Sequence, residues 1–307
     1  MDFDPLSGSL RPQSVMLGPV RAVTLVVRDP HAVAAAYASV LEYRLVARGT
    51  VSAPLAAAWA APAAAGRDCL VLGPRSGEPV WLRLVAAAAH APSAPALRTH
   101  GWNANEILVE DPDAIAARCD GVLFRVIGAP ASLTRFPMIR AMQALGPAGE
   151  CLYFTRVGPG SGLDLASARG FVDRTFIVVV GGADLAALLA FYGSFGNELD
   201  PPVRTPVRVI SSAHGLPADT LHGHALVKLG AGTFVELDEY PPSARPRAAP
   251  EGDLPCGYAI VTFGGRAPAH LPPLGPAAPC ALPGAEHQPA LTYLGPAGER
   301  LELLEAA

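Results

Sequence analysis

Charge is scarce in this chain: 16% of its 307 residues are Asp, Glu, Lys or Arg, and 27 acids against 23 bases leave a net charge of −4. With no basic stripe there is no electrostatic footprint for phosphate backbones, so nucleic acid is excluded as an expected partner. Long apolar runs are missing too. No window of about 18 apolar residues runs free of charge, Pro or Gly, so no membrane-spanning helix is expected. The N-terminal MDFDPLSGSL is acidic and lacks the basic and apolar regions of a secretory signal. The five cysteines (Cys69, Cys119, Cys151, Cys256, Cys280) are odd in number and widely spaced, with no CxxC pair. That argues against a disulfide framework, a zinc knuckle or a thiolate nucleophile with a basic partner. These absences leave a cytoplasmic protein as the expectation, acting on a small molecule and compatible with a homo-dimer.

What is present is hydrophobic material, 50% of the chain, rich in Ala, Gly and Pro in the manner of GC-rich bacterial genomes. The length predicts about two domains. An internal repeat organises the chain. LGPAGECLYFT (145–155) returns as LGPAGERLELL (294–304), with LGPRSGEPVWLRLV (72–85) and LGAGTFVELDEY (229–240) as further copies. Each reads as strand, Gly-rich turn, strand, the turn glycine supplying positive φ.

A strand and a helix precede most of these hairpins. VRAVTLVVRDP (20–30) predicts a strand and 32–46 a helix, with Asp29 as its cap and Pro30 in its first turn. Residues 102–113 and 114–119 repeat that order, as do 171–184 and 185–195. After the fourth strand, 258–263, a proline-rich segment cannot be helical. The fourth module is therefore expected to lack its helix. Residues 158–170 and 241–255 read as linkers.

This α+β arrangement of four tandem βαβββ modules resembles the vicinal oxygen chelate superfamily (glyoxalase, bleomycin resistance protein, extradiol dioxygenase) in its two-domain form. AYASVLEY and AFYGSFGN are similar to the typical ending of that family's helix. The resemblance implies two cup-shaped incomplete barrels. The expected division is an N-terminal domain of modules 1 and 2 (18–157), a linker (158–170) and a C-terminal domain of modules 3 and 4 (171–306). The crossed pairing of some fused glyoxalases is the alternative.

The resemblance also implies metal-ligand positions, one on the first and one on the last strand of each module. On the last strands these are Arg83, Tyr153, Glu236 and Glu302, with Trp81 pointing inward beside Arg83. On the first strands they fall on Ala22, Ala104, Asp173 or Thr175, and Gly257 or Tyr258. With no histidine at any of them, the N-terminal cup is expected to be metal-free. The C-terminal cup would hold one divalent ion between Glu236, Glu302 and Asp173, and carboxylates suit a hard cation such as magnesium or manganese.

The order His287, Tyr293, GPAG, Glu302 is similar to the end of extradiol dioxygenases, but the iron-binding histidines are absent. Glu106, two residues beyond Ala104, is a candidate general base, with Arg83 and Tyr153 holding an enolate or carboxylate. A structural Glu106–Arg83 ion pair is the alternative. His224 and Tyr258 are further ligand-binding candidates. The function expected is proton abstraction and enolate stabilisation on a small oxygenated or aromatic metabolite, as in a lyase or isomerase. The alternatives are a degenerate ring-cleavage dioxygenase and a protein that binds its ligand without converting it.

Overall fold

The computed structural model describes residues 17–134, 136–161 and 165–304. The N-terminal decapeptide, part of the 158–170 linker and the last residues of the 171–306 domain lie outside the described residues. Among the described residues sixteen strands build two sheets of eight. Module 1 supplies β1 (Leu17–Val27), β2 (Arg44–Thr50), β3 (Asp68–Gly73) and β4 (Trp81–Ala86). Module 2 supplies β5 (Gly101–Val109), β6 (Arg125–Ser132), β7 (Ile139–Leu145) and β8 (Cys151–Val157). Module 3 supplies β9 (Val172–Gly182), β10 (Val203–Pro206), β11 (Leu221–Gly230) and β12 (Thr233–Glu239). Module 4 supplies β13 (Gly257–Gly265), β14 (Ala278–Pro279), β15 (Pro289–Leu294) and β16 (Arg300–Leu304).

The order of strands corrects the expected division. One sheet runs β14-β15-β16-β13-β1-β4-β3-β2 and the other β10-β11-β12-β9-β5-β8-β7-β6. Module 1 therefore shares a cup with module 4, and module 2 with module 3. The connections explain why. The 87–100 and 241–256 segments carry the chain from one sheet to the other, and they run together. His100 donates its backbone N–H to the Arg245 carbonyl at 2.9 Å. Arg247 then clamps both crossings, donating to Thr99 Oγ1 (2.9 Å) and to the carbonyls of Trp102 (2.6 Å) and Tyr258 (2.5 Å). The linker 158–170 joins modules that stay in one sheet.

Helices α1 (Pro30–Leu41), α3 (Pro112–Arg118) and α4 (Leu185–Gly193) each follow a first strand, and their caps are Asp29, Asp111 and Asp184. In each case the aspartate side chain accepts from amides of the first turn. The first helix is shorter than the predicted 32–46: Glu42 at φ 57° stops it, and β2 begins at Arg44. No helix follows β13 among the described residues, as the prolines require. Two helices had no periodic signal in the sequence. They are α2 (Ala53–Ala58) and α5 (Arg208–His214), each inserted between the second and third strands of its module.

The main core lies between the sheets, under α1, α3 and α4. Polar contacts tie the two sheets together across it. Tyr258 Oη donates to the Cys151 carbonyl (3.0 Å) and Trp102 Nε1 to the Arg300 carbonyl (2.8 Å). No described helix is long and apolar enough to cross a membrane.

Candidate functional site

In each module the first strand pairs in parallel with the last, so the register names the residues that face each other at the centre of a cup. Arg83 lies level with Thr24, and Glu302 with Thr262. Tyr153 lies level with Glu106, and Glu236 with Val179. The first-strand positions are therefore Thr24, Glu106, Val179 and Thr262. The expected Ala22, Ala104, Asp173 or Thr175, and Gly257 or Tyr258 were read two or more residues early. The four central positions are Thr24, Arg83, Thr262 and Glu302 in one cup, and Glu106, Tyr153, Val179 and Glu236 in the other.

The cup of modules 1 and 4 is filled. Helix α2 enters it with Leu55 and Ala56, and Trp59 follows at its C-terminal cap; all three pack on Val26, Val85 and Ile260. Glu302 is 0% exposed and Arg83 1%. Arg83 Nη2 donates to Glu302 Oε2 at 2.8 Å, Thr262 Oγ1 to the same oxygen at 2.6 Å, and Trp59 Nε1 to Oε1 at 2.7 Å. Arg83 also reaches Thr24 Oγ1 (2.9 Å) and the Cys280 carbonyl (3.1 Å), and stacks 4.7 Å over the Trp59 ring. Burial works to raise the Glu302 pKa, but Arg83 and the hydrogen bonds outweigh it and hold the carboxyl below its ordinary value. Both charges are buried and satisfied by each other and by the hydrogen bonds around them.

The cup of modules 2 and 3 is half filled. Helix α5 places Val209 and Ile210 against Ala104, Cys151 and Val179. The other half is a cavity of about 580 Å³. Its walls are Phe136, Ile139, Phe176, Ile177, Leu226 and Phe234; its polar groups are Glu106, Thr155, Glu236 and His224. Glu198, Asp200 and Lys228 also line it. Size and polarity suit a small-molecule site.

The ionisable groups of this cavity have shifted proton affinities. Glu106 accepts a short hydrogen bond from Thr155 Oγ1. Burial, and then repulsion from Glu236, push its pKa up to about 8. Glu236 is raised well above the ordinary value by burial and by its hydrogen-bonded neighbour Asp238, which is itself raised to about 7. His224 is lowered by burial, and its Nε2 lies 2.9 Å from Thr205 Oγ1. At neutral pH Glu106 thus keeps its proton, beside an imidazole whose own proton affinity is lowered.

Several expected site residues fall elsewhere. Arg83 pairs with Glu302, not with Glu106, because module 1 meets module 4. The proposed metal set is separated: Glu236 and Glu302 sit in different cups, and Asp173 sits at the start of β9, accepting from the Arg169 amide at 3.0 Å. His287 is exposed, and Tyr293 packs into the core between the sheets; the dioxygenase-like order does not converge on Glu302. Tyr258 also faces that core, and Trp81 packs with the apolar cluster around Val71 and Leu304. Glu106, Glu236, Tyr153 and His224 are in the cup where a ligand fits. The sequence reading missed Trp59, Thr155 and Asp238; Asp238, two residues from Glu236, and Thr155, two residues from Tyr153, were open to a periodicity argument along their strands.

Among the described residues no three His, Cys, Asp or Glu side chains converge as a metal cluster. The open cup sets two carboxylates against a valine and a tyrosine at its four central positions. This donor set does not fit the expected divalent ion.

No family model and no curated protein sequence matches the chain. Solved structures do. Glyoxalase I from Zea mays is 14% identical and superimposes at a TM-score of 0.61 over 94% of this chain and 92% of its own. A point mutant of that maize enzyme gives 15% identity and 0.61 over the same shares. A dioxygenase candidate from Bacillus subtilis gives 13% identity and 0.60, over 94% of this chain and 85% of that one. These likenesses show that the chain shares the double-cup fold of those structures.

Proposed function

We propose that this glyoxalase-type double cup is a proton-transfer enzyme working in the modules 2 and 3 cavity, with the modules 1 and 4 cup retired to a structural brace. One observation carries the reading. Glu106, in the first-strand position of module 2, is a buried carboxyl with a pKa of about 8 in an open cavity of apolar walls. A carboxylic acid that keeps its proton at neutral pH can donate a hydrogen bond to a carbonyl oxygen and stabilise the enolate that forms when a neighbouring carbon loses a proton. His224 is the matching base. In the tautomer whose Nε2–H donates to Thr205, Nδ1 carries the free lone pair, and the lowered pKa keeps it unprotonated. A proton taken by His224 and returned to another carbon is an isomerisation; loss of a leaving group from the enolate is a lyase reaction.

The substrate class supported is a small carbonyl compound with an apolar body. The test is deuterium wash-in. A mixture of such compounds is incubated with the protein in D2O and followed by NMR. Exchange at a carbon beside a carbonyl is expected, with Glu106→Gln slowing it by about 10²-fold or more. No exchange in any compound, or equal exchange by Glu106→Gln, contradicts the assignment.

A further inference from the structure

We propose that a small oxyanion with two negative charges binds at the crossing of the two inter-sheet segments, held by Arg247 and Arg300.

A cavity of about 260 Å³ lies at that crossing. His100 and Arg247 come to it from the two segments, Trp102 and Tyr258 from the starts of β5 and β13, and Arg300 from the start of β16. It shares no lining residue with the modules 2 and 3 cavity, so the inference stands apart from the function proposed for that cup.

Both arginines are half-buried, and neither has a carboxylate partner among the described residues. Arg247 donates to neutral acceptors: Thr99 Oγ1 (2.9 Å), the carbonyls of Tyr258 (2.5 Å) and Trp102 (2.6 Å), and Asn103 Oδ1 (3.4 Å). Arg300 donates its Nε to the Trp59 carbonyl at 3.1 Å, and its two Nη nitrogens have no hydrogen-bond partner among the described residues. Arg83 shows what a counter-charge does. Burial works against its charge, but Glu302 outweighs that and holds the pKa above the ordinary value. At the crossing the sign is reversed. Burial pushes the Arg247 pKa down to about 10, and it lowers Arg300 in spite of Asp253.

A desolvated cation without its anion costs stability, which a bound anion restores. The planar guanidinium offers paired N–H donors that match the oxygens of a carboxylate, sulfate or phosphate. Two such groups on one cavity call for two negative charges. The carboxyl among the described lining residues, Glu299, is already engaged: it accepts from the Ala297 amide (2.8 Å) and the Tyr192 hydroxyl (3.2 Å). Burial raises its pKa to about 7, so below neutrality it opposes the anion little. The anion neutralises the arginine that clamps both crossings and ties it to β16.

Calorimetric titration of the full chain at about pH 6.5 and constant ionic strength in sodium chloride tests this, with sulfate, succinate and acetate as probes. Sulfate or succinate is expected to bind about tenfold or more tighter than acetate; which of the two binds tells whether the charges sit on one centre or on two. Arg300→Gln should weaken that binding about tenfold or more, and Arg300→Lys should restore part of it. In the unsubstituted chain the Nε–H NMR signals of Arg247 and Arg300 should shift together along the same titration curve, a readout that does not depend on any variant folding. Neither dianion binding, acetate binding as tightly, undiminished binding by folded Arg300→Gln, or arginine signals that stay in place through the titration overturns the assignment.

Discussion

The Tyr37 hydroxyl of α1 donates a 2.6 Å hydrogen bond to Glu150 Oε1, in the turn of the next module, and Tyr192 of α4 repeats the contact with Glu299 at 3.2 Å. This pair explains the identity of the two LGPAGE segments. The glutamate folds back over its own turn and accepts from the amide of Ala148, or of Ala297, at 2.8 Å. A Cβ on Gly146 or Gly295 would collide with that carboxylate, and Gly149 and Gly298 sit at φ +82° and +80°. The motif joins module 1 to module 2 and module 3 to module 4 through their helices, while the sheets pair the other way. Tyr37→Phe is expected to cost about 1–3 kcal/mol, and Tyr192→Phe less, because its bond is longer. Urea unfolding of the two variants measures the difference.

The same glutamates set a pH dependence. Burial raises Glu150 and Glu299 from 4.5 to about 7, against the opposing hydrogen bonds. The folded state then holds protons that the unfolded chain gives up between those values. Their contribution is full below pH 4.5 and lost as pH rises through about 7. The melting temperature is expected to fall from pH 5 to pH 8, and Glu150→Gln/Glu299→Gln should flatten that slope. A melting temperature that rises over this interval contradicts the assignment.

Arg83 and Glu302 test the crossed pairing. Removing either partner leaves a buried charge and is expected to cost about 3–5 kcal/mol, whereas Arg83→Met/Glu302→Leu should be nearly neutral. A double-mutant cycle between the two should show strong coupling, and one between Arg83 and Glu106 should show none. None of these changes should alter ligand binding in the other cup.

Glu106 should trade stability against turnover. Glu106→Gln keeps an acceptor for Thr155 Oγ1 and removes a carboxyl whose ionisation is opposed by burial. It is expected to stabilise the fold at pH 9 relative to the parent chain while slowing catalysis. Thermal melts at pH 9 beside the deuterium-exchange assay would show it.

The sequence carried the module order because turn glycines, capping aspartates and β-branched strands act locally. Asp29 was read as a cap without any tertiary knowledge, and Asp111 and Asp184 prove to hold the same place in their modules. Which modules share a cup depends on how two crossing segments pack through Arg247, and nothing local records that. The site suffered accordingly. Glu106, Glu236 and His224 were legible as side chains, but Glu236 was assigned to Glu302 and Glu106 to Arg83. Trp59 was hidden at the end of an alanine-rich helix with no polar periodicity, so the closure of one cup was invisible.

The most direct test is a carboxyl titration by NMR of Glu106 and Glu302 in the intact chain, assigned with Glu106→Gln and Glu302→Gln. Glu106 should titrate at about 8, and Glu302, held by Arg83, should stay ionised throughout the neutral range. Glu106 titrating in the ordinary carboxylate range, or Glu302 taking up a proton near neutrality, would contradict the assignment of an active and a braced cup.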